Sequence, residues 1–181
     1  MIVIVEGLSD QLALNEVARR LGRDLEAEGV SIVPIGGAHG IARFLAALAR
    51  DGSDVRLAGL CDAREEIVFR KALESSGRGV ALDREQMERL GFFVCTADLE
   101  DELIRALGVA SAVKVIEAQG DLQPWQTFQK QPAQRGRSTH DQLRRFVRSI
   151  SGRNPKYVRA FIEALEPSQI PRPLRQLLAY V

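Results

Sequence analysis

The sequence predicts an α/β protein: a parallel sheet of about four strands with flanking helices, continued by a helical C-terminal extension. Three observations carry this. Four short apolar runs, MIVIV, VSIV, VRLAGLC and FFVC, punctuate the first part of the chain. Each is followed by apolar residues at helical spacing, an alternation that joins parallel strands by right-handed crossovers. Beyond Ser111 the strand signal stops and helical patterns take over.

The first run, 1–5, is apolar on both faces, as in a strand buried on both sides of a parallel sheet. It ends at Glu6-Gly7. Ser9 stands where a helix N-cap is expected, and Leu12, Leu14, Val17 and Leu21 then recur at helical spacing. Val30, Ile32 and Val33 form the second strand, closed by Pro34 and a Gly-rich loop. A helix over 41–49 presents Ile41, Phe44, Leu45 and Leu48 on one face, and Asp51, Gly52, Ser53 and Asp54 make a turn. VRLAGLC is the third strand and stops at Asp62; residues 64–75 read as helix, 76–83 as loop and 84–90 as a short helix. FFVC is the fourth strand, and the acidic run DLEDELIRALG is a helix with Leu103, Ile104 and Leu107 inward. Residues 112–118 are helical. The Gln-rich, proline-marked GDLQPWQTFQKQPAQRGR reads as an irregular connection pinned by Trp125 and Phe128. Helices follow over 139–150, with Leu143, Phe146, Val147 and Ile150 inward, and over 156–165, separated by a turn at 151–154. Pro167, Pro171 and Pro173 flank a last apolar helix, 174–181. The domain division this implies is an α/β domain over 1–110 and a basic helical extension over 111–181.

The apolar share of 45% and charged share of 27% are those of an ordinary soluble globular protein. Cys61 and Cys95 each lie in an apolar strand and read as buried reduced thiols. No run is long and apolar enough to span a membrane. The apolar start lacks a basic flank and carries Glu6, unlike a signal peptide, so the expected compartment is the cytoplasm. The net charge of +1 hides an asymmetry: residues 1–113 hold 13 Lys and Arg against 19 Asp and Glu, and residues 114–181 hold 12 against 5. An acidic first part beside a basic last part fits metal-binding or catalytic carboxylates next to a surface for a polyanion. Arg135, Arg137, Arg144, Arg145, Arg153 and Lys156 are the candidates for that surface.

Acidic residues gather where strands end: Glu6 with Asp10, Asp62 with Glu65 and Glu66, and Asp98 with Glu100, Asp101 and Glu102. Parallel neighbours bring such ends to one edge of a sheet, where ligands of open α/β folds bind. Carboxylates crowded there repel unless a cation neutralises them. Oxygen donors without His or Cys at ligand spacing favour Mg²⁺ or Mn²⁺, and such an ion suits phosphoryl chemistry. Taken singly, Asp10, Asp101 and Glu102 read as solvated helix residues. Glu6 and Asp62, each directly following a buried strand, do not. His39 and His140 read as surface or loop histidines, and PIGGAHG either approaches a phosphate or simply turns the chain.

VIVEG followed by an Asp-bearing helix, a GG loop and a strand ending in Asp resembles a Toprim domain, the module of topoisomerases, bacterial primases, RecR-type repair proteins and OLD-type nucleases. GVSIVPIGGAHGIARFL and FFVCTADLEDELIRALG are most similar to the Toprim half of OLD-family ATP-dependent endonucleases. The resemblance covers about residues 1–110 and implies a Toprim/Rossmann-like sheet. It implies that Glu6 is the family's acid/base or metal-binding glutamate and that Asp10 is a second acidic position. Asp62 matches the first aspartate of the DxD motif, and Glu100 a further metal-side glutamate. Lys156, in GRNPKYVRA, matches a late lysine that stabilises the transition state.

Two departures stand out. Arg64 occupies the position of the second DxD aspartate, so Glu66 or Glu65 would have to supply the missing oxygen. No GxxxxGK[ST] phosphate loop is present, so the chain reads as a Toprim half without its ATPase half, acting alone, as a homodimer or with a protein partner. The expected function is Mg²⁺-dependent nuclease or related phosphoryl-transfer activity on nucleic acid, DNA ahead of RNA. Glu6, Asp62 and Lys156 would be catalytic, and Glu6, Asp10, Asp62, Glu66 and Glu100 would hold metal. The alternative is a non-catalytic Toprim-like module that binds nucleic acid or a partner. A small-ligand or phosphate-binding α/β protein is a third reading, from fold analogy alone.

Overall fold

A computed structural model describes residues 1–52, 55–149 and 153–181, with the backbone alone at Arg153. Ser53 and Asp54 of the expected turn, and Ile150, Ser151 and Gly152, lie outside the described residues. The chain forms two compact units, Met1–Asp98 together with Arg172–Val181, and Leu99–Pro171. The expected division at residue 110 follows secondary-structure type; the compact units divide after Asp98 and place the C-terminal helix with the sheet.

In the first unit, strands β1 (Ile2–Val5), β2 (Ser31–Pro34), β3 (Leu57–Cys61) and β4 (Phe92–Val94) form one parallel sheet in the order β2-β1-β3-β4. Val5 lies opposite Pro34 on one side and Leu60 on the other. Helices α1 (Leu8–Arg20), α2 (Gly40–Arg50), α3 (Glu66–Ser75) and α4 (Arg84–Arg89) connect the strands. Val3, Ile4 and Val5 are all buried, which is why MIVIV shows no alternation. Ile4 packs with Ile41, Leu45, Phe69, Leu73, Met87 and Phe92 in one continuous core.

Helix α1 starts two residues earlier than an N-cap at Ser9 would allow. Gly7 takes the N-cap position, and its amide donates to the Asp10 carboxylate at 2.9 Å. An acid three residues into a helix reaches back to the capping amide, so Asp10 does this work and Ser9 sits inside the helix.

The C-terminal helix, Arg172–Tyr180, is anchored to this unit at several points. Arg172 donates through both terminal nitrogens to the Glu88 carboxylate at 2.8 Å, which holds that carboxyl below its ordinary range. Arg23 donates to the Leu178 carbonyl. The Tyr180 ring meets Phe93 edge-on at 6.3 Å and carries the Arg56 guanidinium over its face at 5.8 Å. Gly91, at φ +87°, lies under the same ring, where an added Cβ would come within 2.4 Å of it. Gly91→Ala therefore combines a left-handed backbone with a steric clash and is expected to cost about 2–4 kcal/mol. A shift of the urea midpoint at unchanged slope checks it.

The second unit is helical: α5 (Leu99–Leu107), α6 (Val109–Ala118), α7 (Leu122–Gln129), α8 (Thr139–Arg148) and α9 (Arg153–Ala164), with short 3-10 turns at Pro132–Gln134 and Pro167–Gln169. Helix α7 corrects the irregular connection expected there. Pro124 falls in its first turn, where a missing N–H breaks no helical bond. Trp125 and Phe128, one turn apart, both reach Phe146 of α8, at 5.3 and 5.4 Å between ring centres.

Candidate functional site at the sheet's carboxyl edge

Glu6 ends the central strand β1, and Asp62 ends its neighbour β3. The register places Val5 opposite Leu60, so Glu6 falls level with Cys61 and one residue short of Asp62. Their link is direct: the Asp62 backbone N–H donates to Glu6 Oε1 at 2.9 Å. The glycine loop after β2 fixes the other side. Gly36 and Gly37 turn it with φ of +72° and +101°, and the Gly37 amide donates to the Glu6 carbonyl at 2.8 Å. The loop thus clamps the backbone of Glu6 between β2 and β3.

Beneath the two acids lies the thiol of Cys61, buried and free. Burial pushes its pKa well above the ordinary value, and the charges of Glu6, Asp62 and Glu66 push it further; Arg84 opposes them. A neutral native thiol adds no pH dependence below about pH 8.5, the ordinary cysteine value. Above it the unfolded chain loses its proton and the native chain keeps it, so stability falls as pH rises. Cys61 is expected to resist iodoacetamide at pH 8.5 in the native protein and to react once urea unfolds it.

Glu66 is committed to an ion pair with Arg84. Arg64 stands at the position of the second DxD aspartate. The Arg64 side chain is exposed, and it is Arg84, delivered by α4, that reaches the cluster. No local motif marks this pair; its partners are 18 residues apart in the chain. Asp98 is buried in the same unit, and Asp10 is held on the Gly7 amide.

The remaining candidates belong to the second unit, each with partners there. Glu100 is buried, accepts from the Asn154 amide at 2.7 Å and lies 3.8 Å from Arg148. Lys156 pairs with Asp121 at 3.0 Å and donates to the Gln119 carbonyl at 3.1 Å. Asp121 also accepts from the buried Tyr157 hydroxyl at 2.7 Å, so it organises the start of α7 and the face of α9 together. Asp101 lies 3.0 Å from Arg105 and 3.1 Å from His140, and Glu102 lies 2.9 Å from Arg105. Arg135, Arg137 and Arg145 are exposed and Arg144 is half-buried; Arg137 donates to the Ala133 carbonyl at 2.9 Å. The Arg153 side chain lies outside the described residues.

Among the described residues no three His, Cys, Asp or Glu side chains converge as a ready-made metal cage. Glu6 and Asp62 offer two hard carboxylates on adjacent strand ends. That donor set fits Mg²⁺, which is commonly held by one or two carboxylates with water and substrate phosphate completing the shell.

A parallel sheet in the order β2-β1-β3-β4, with acids following β1 and β3, defines the class as an open α/β fold with an acidic carboxyl edge. Residues 1–63 match the family model of the overcoming lysogenization defect protein-like TOPRIM domain. The C-terminal region of the OLD protein of Xanthomonas campestris pv. campestris superposes with a TM-score of 0.73 at 22% identity, covering 99% of this chain and 92% of that one. The C-terminal region of the Burkholderia pseudomallei OLD protein superposes with a TM-score of 0.68 at 20% identity, covering 99% and 94%. No curated protein matches significantly. Residues 1–63 thus match an OLD-like TOPRIM domain, and the chain has the fold of the C-terminal region of OLD proteins. No helix among the described residues is long and apolar enough to cross a membrane.

Proposed function

We propose that the carboxyl edge of the sheet is a divalent-metal site that cleaves phosphodiester bonds in nucleic acid, DNA ahead of RNA. The observation that carries this reading is the 2.9 Å hydrogen bond from the Asp62 amide to Glu6, which holds the Glu6 carboxylate beside the start of Asp62 at adjacent strand ends. The OLD-like Toprim match supports it, since Toprim domains generally bind divalent ions, usually Mg²⁺. Glu6 and Asp62 would hold Mg²⁺ or Mn²⁺. Such an ion, when bound, polarises a phosphoryl oxygen and lowers the pKa of its water. The chain's own part is to hold the Glu6 carboxylate through the Asp62 amide, and the Glu6 backbone through the Gly37 amide, before substrate arrives, so less reorganisation is left to the reaction. Arg135 and Arg145, exposed in the second unit, are proposed backbone contacts. Lys156 is held by Asp121 and Gln119 and receives no catalytic role in this reading.

The test is cleavage of single- and double-stranded DNA and of RNA with Mg²⁺ or Mn²⁺, compared with Glu6→Gln. A second reading, a nucleic-acid or partner-binding module without turnover, is favoured by Arg64 at the second acidic position and by the Glu66–Arg84 pair. Salt-sensitive binding with no cleavage under either metal would select it.

A further inference from the structure

From Val30 to Arg50 the chain carries no acidic residue, in a first part otherwise rich in them. This stretch builds edge strand β2, the glycine loop and α2, and it lines a groove of about 480 Å³. Pro34, Ile35, Gly40 and Phe44 supply an apolar floor, with Arg43 and Arg50 at its side. Both arginines are exposed, and neither forms an ion pair with a described residue. Gly40 has to be small here: an added Cβ would come within 2.3 Å of the Ile35 carbonyl.

The groove opens beside the acidic edge. The Ile35 amide donates to the Val5 carbonyl at 2.9 Å, one residue before Glu6, and Gly37 bonds to Glu6 itself. From there the groove follows α2 to Arg50. Seven residues separate the two arginines, roughly 10 Å of helix at 1.5 Å per residue. That spans about three nucleotides at a rise of 3.4 Å each.

We propose that the β2–α2 groove holds a single nucleic-acid strand, with Arg43 and Arg50 on its phosphates and a base against Phe44, and leads it to the Glu6–Asp62 edge. Cations beside an aromatic floor are what a sequence-tolerant single-strand site requires. An acidic peptide would satisfy the arginines equally. The continuity of the groove with the carboxylate edge favours nucleic acid, and to that extent the inference rests on the reading above.

The experiment is binding of a fluorescent single-stranded oligonucleotide to the full chain in EDTA, followed by anisotropy across a salt series. Metal-free conditions separate binding from turnover. Arg43→Gln with Arg50→Gln is expected to weaken binding about tenfold and to reduce the log–log salt slope by about 1.4, or 0.7 for each lost phosphate contact. Arg78→Gln, an exposed arginine beyond the far end of α3, is expected to bind as wild type. Glu6→Gln is expected to bind and to retain the dependence on Arg43 and Arg50; that result with no cleavage by wild type would sink the nuclease reading and leave this one standing. Unchanged affinity and slope in the double variant would overturn the proposal, as would no binding of the oligonucleotide while a polyglutamate peptide binds in an Arg43- and Arg50-dependent way.

Discussion

Glu6→Gln should lower metal-dependent cleavage by about a thousandfold, equivalent to about 4 kcal/mol of transition-state stabilisation, while leaving the fold intact. The substitution is chosen for its geometry. The Glu6 oxygen accepts the Asp62 amide at 2.9 Å, and a glutamine carbonyl oxygen can accept the same bond. What disappears is one negative charge beside Asp62, among the acids that raise the Cys61 pKa. Without metal, removing that charge relieves repulsion, so the variant is expected to melt no lower than wild type. With Mg²⁺ or Mn²⁺, wild type should gain stability by binding the ion in its native state, and Glu6→Gln should lose most of that gain. Asp62→Asn should behave alike, because its backbone amide still donates to Glu6. A variant that retains both cleavage and the metal-induced rise in Tm would remove Glu6 from the site. Scanning calorimetry with and without metal, beside the cleavage assay, reads the two effects separately.

The acids that this experiment addresses were legible because their signal is local. An apolar run with no polar face has to be a strand buried on both sides, and the residue that closes it stands at the sheet's edge; MIVIV with Glu6 and VRLAGLC with Asp62 both follow that logic. The same logic does not reach partners distant in sequence. Nothing near Glu66 indicates that Arg84 pairs with it, and nothing near the terminal apolar helix indicates Glu88, 84 residues before Arg172. Periodicity says that a helix has a face to bury and leaves open what buries it. Helix α7 was hidden differently: its glutamines and Pro124 have loop composition, yet a proline in the first turn is compatible with a helix, and two aromatics one turn apart supply the packing. Ser9 was misplaced by one common rule of capping, because the reaching-back acid at Asp10 lets glycine serve as N-cap.

Phe146→Ala is expected to produce the largest loss of stability, about 3–5 kcal/mol. Phe146 is 1% exposed and stands at the centre of a ring cluster, 5.3 Å from Trp125, 5.4 Å from Phe128 and 6.2 Å from Tyr157. Three helices, α7, α8 and α9, meet through it, so truncation opens a cavity that none can fill alone. Aromatic pairs add to the cost beyond area, about 0.5–1.5 kcal/mol each. The same helix turns Arg145 and Arg148 outward, so its inward face decides whether those cations are held in place at all. The loss should therefore appear in two measurements: a lower urea midpoint, and loosened amide-exchange protection across α7 to α9. Because Leu99–Pro171 is compact by itself, exchange in β1 and β3 is expected to change less than in these helices at low denaturant. Phe146→Leu, which refills most of the volume, should recover more than half of the lost stability. Equal exchange in all strands and helices of Phe146→Ala would instead mean that the chain unfolds as one cooperative body.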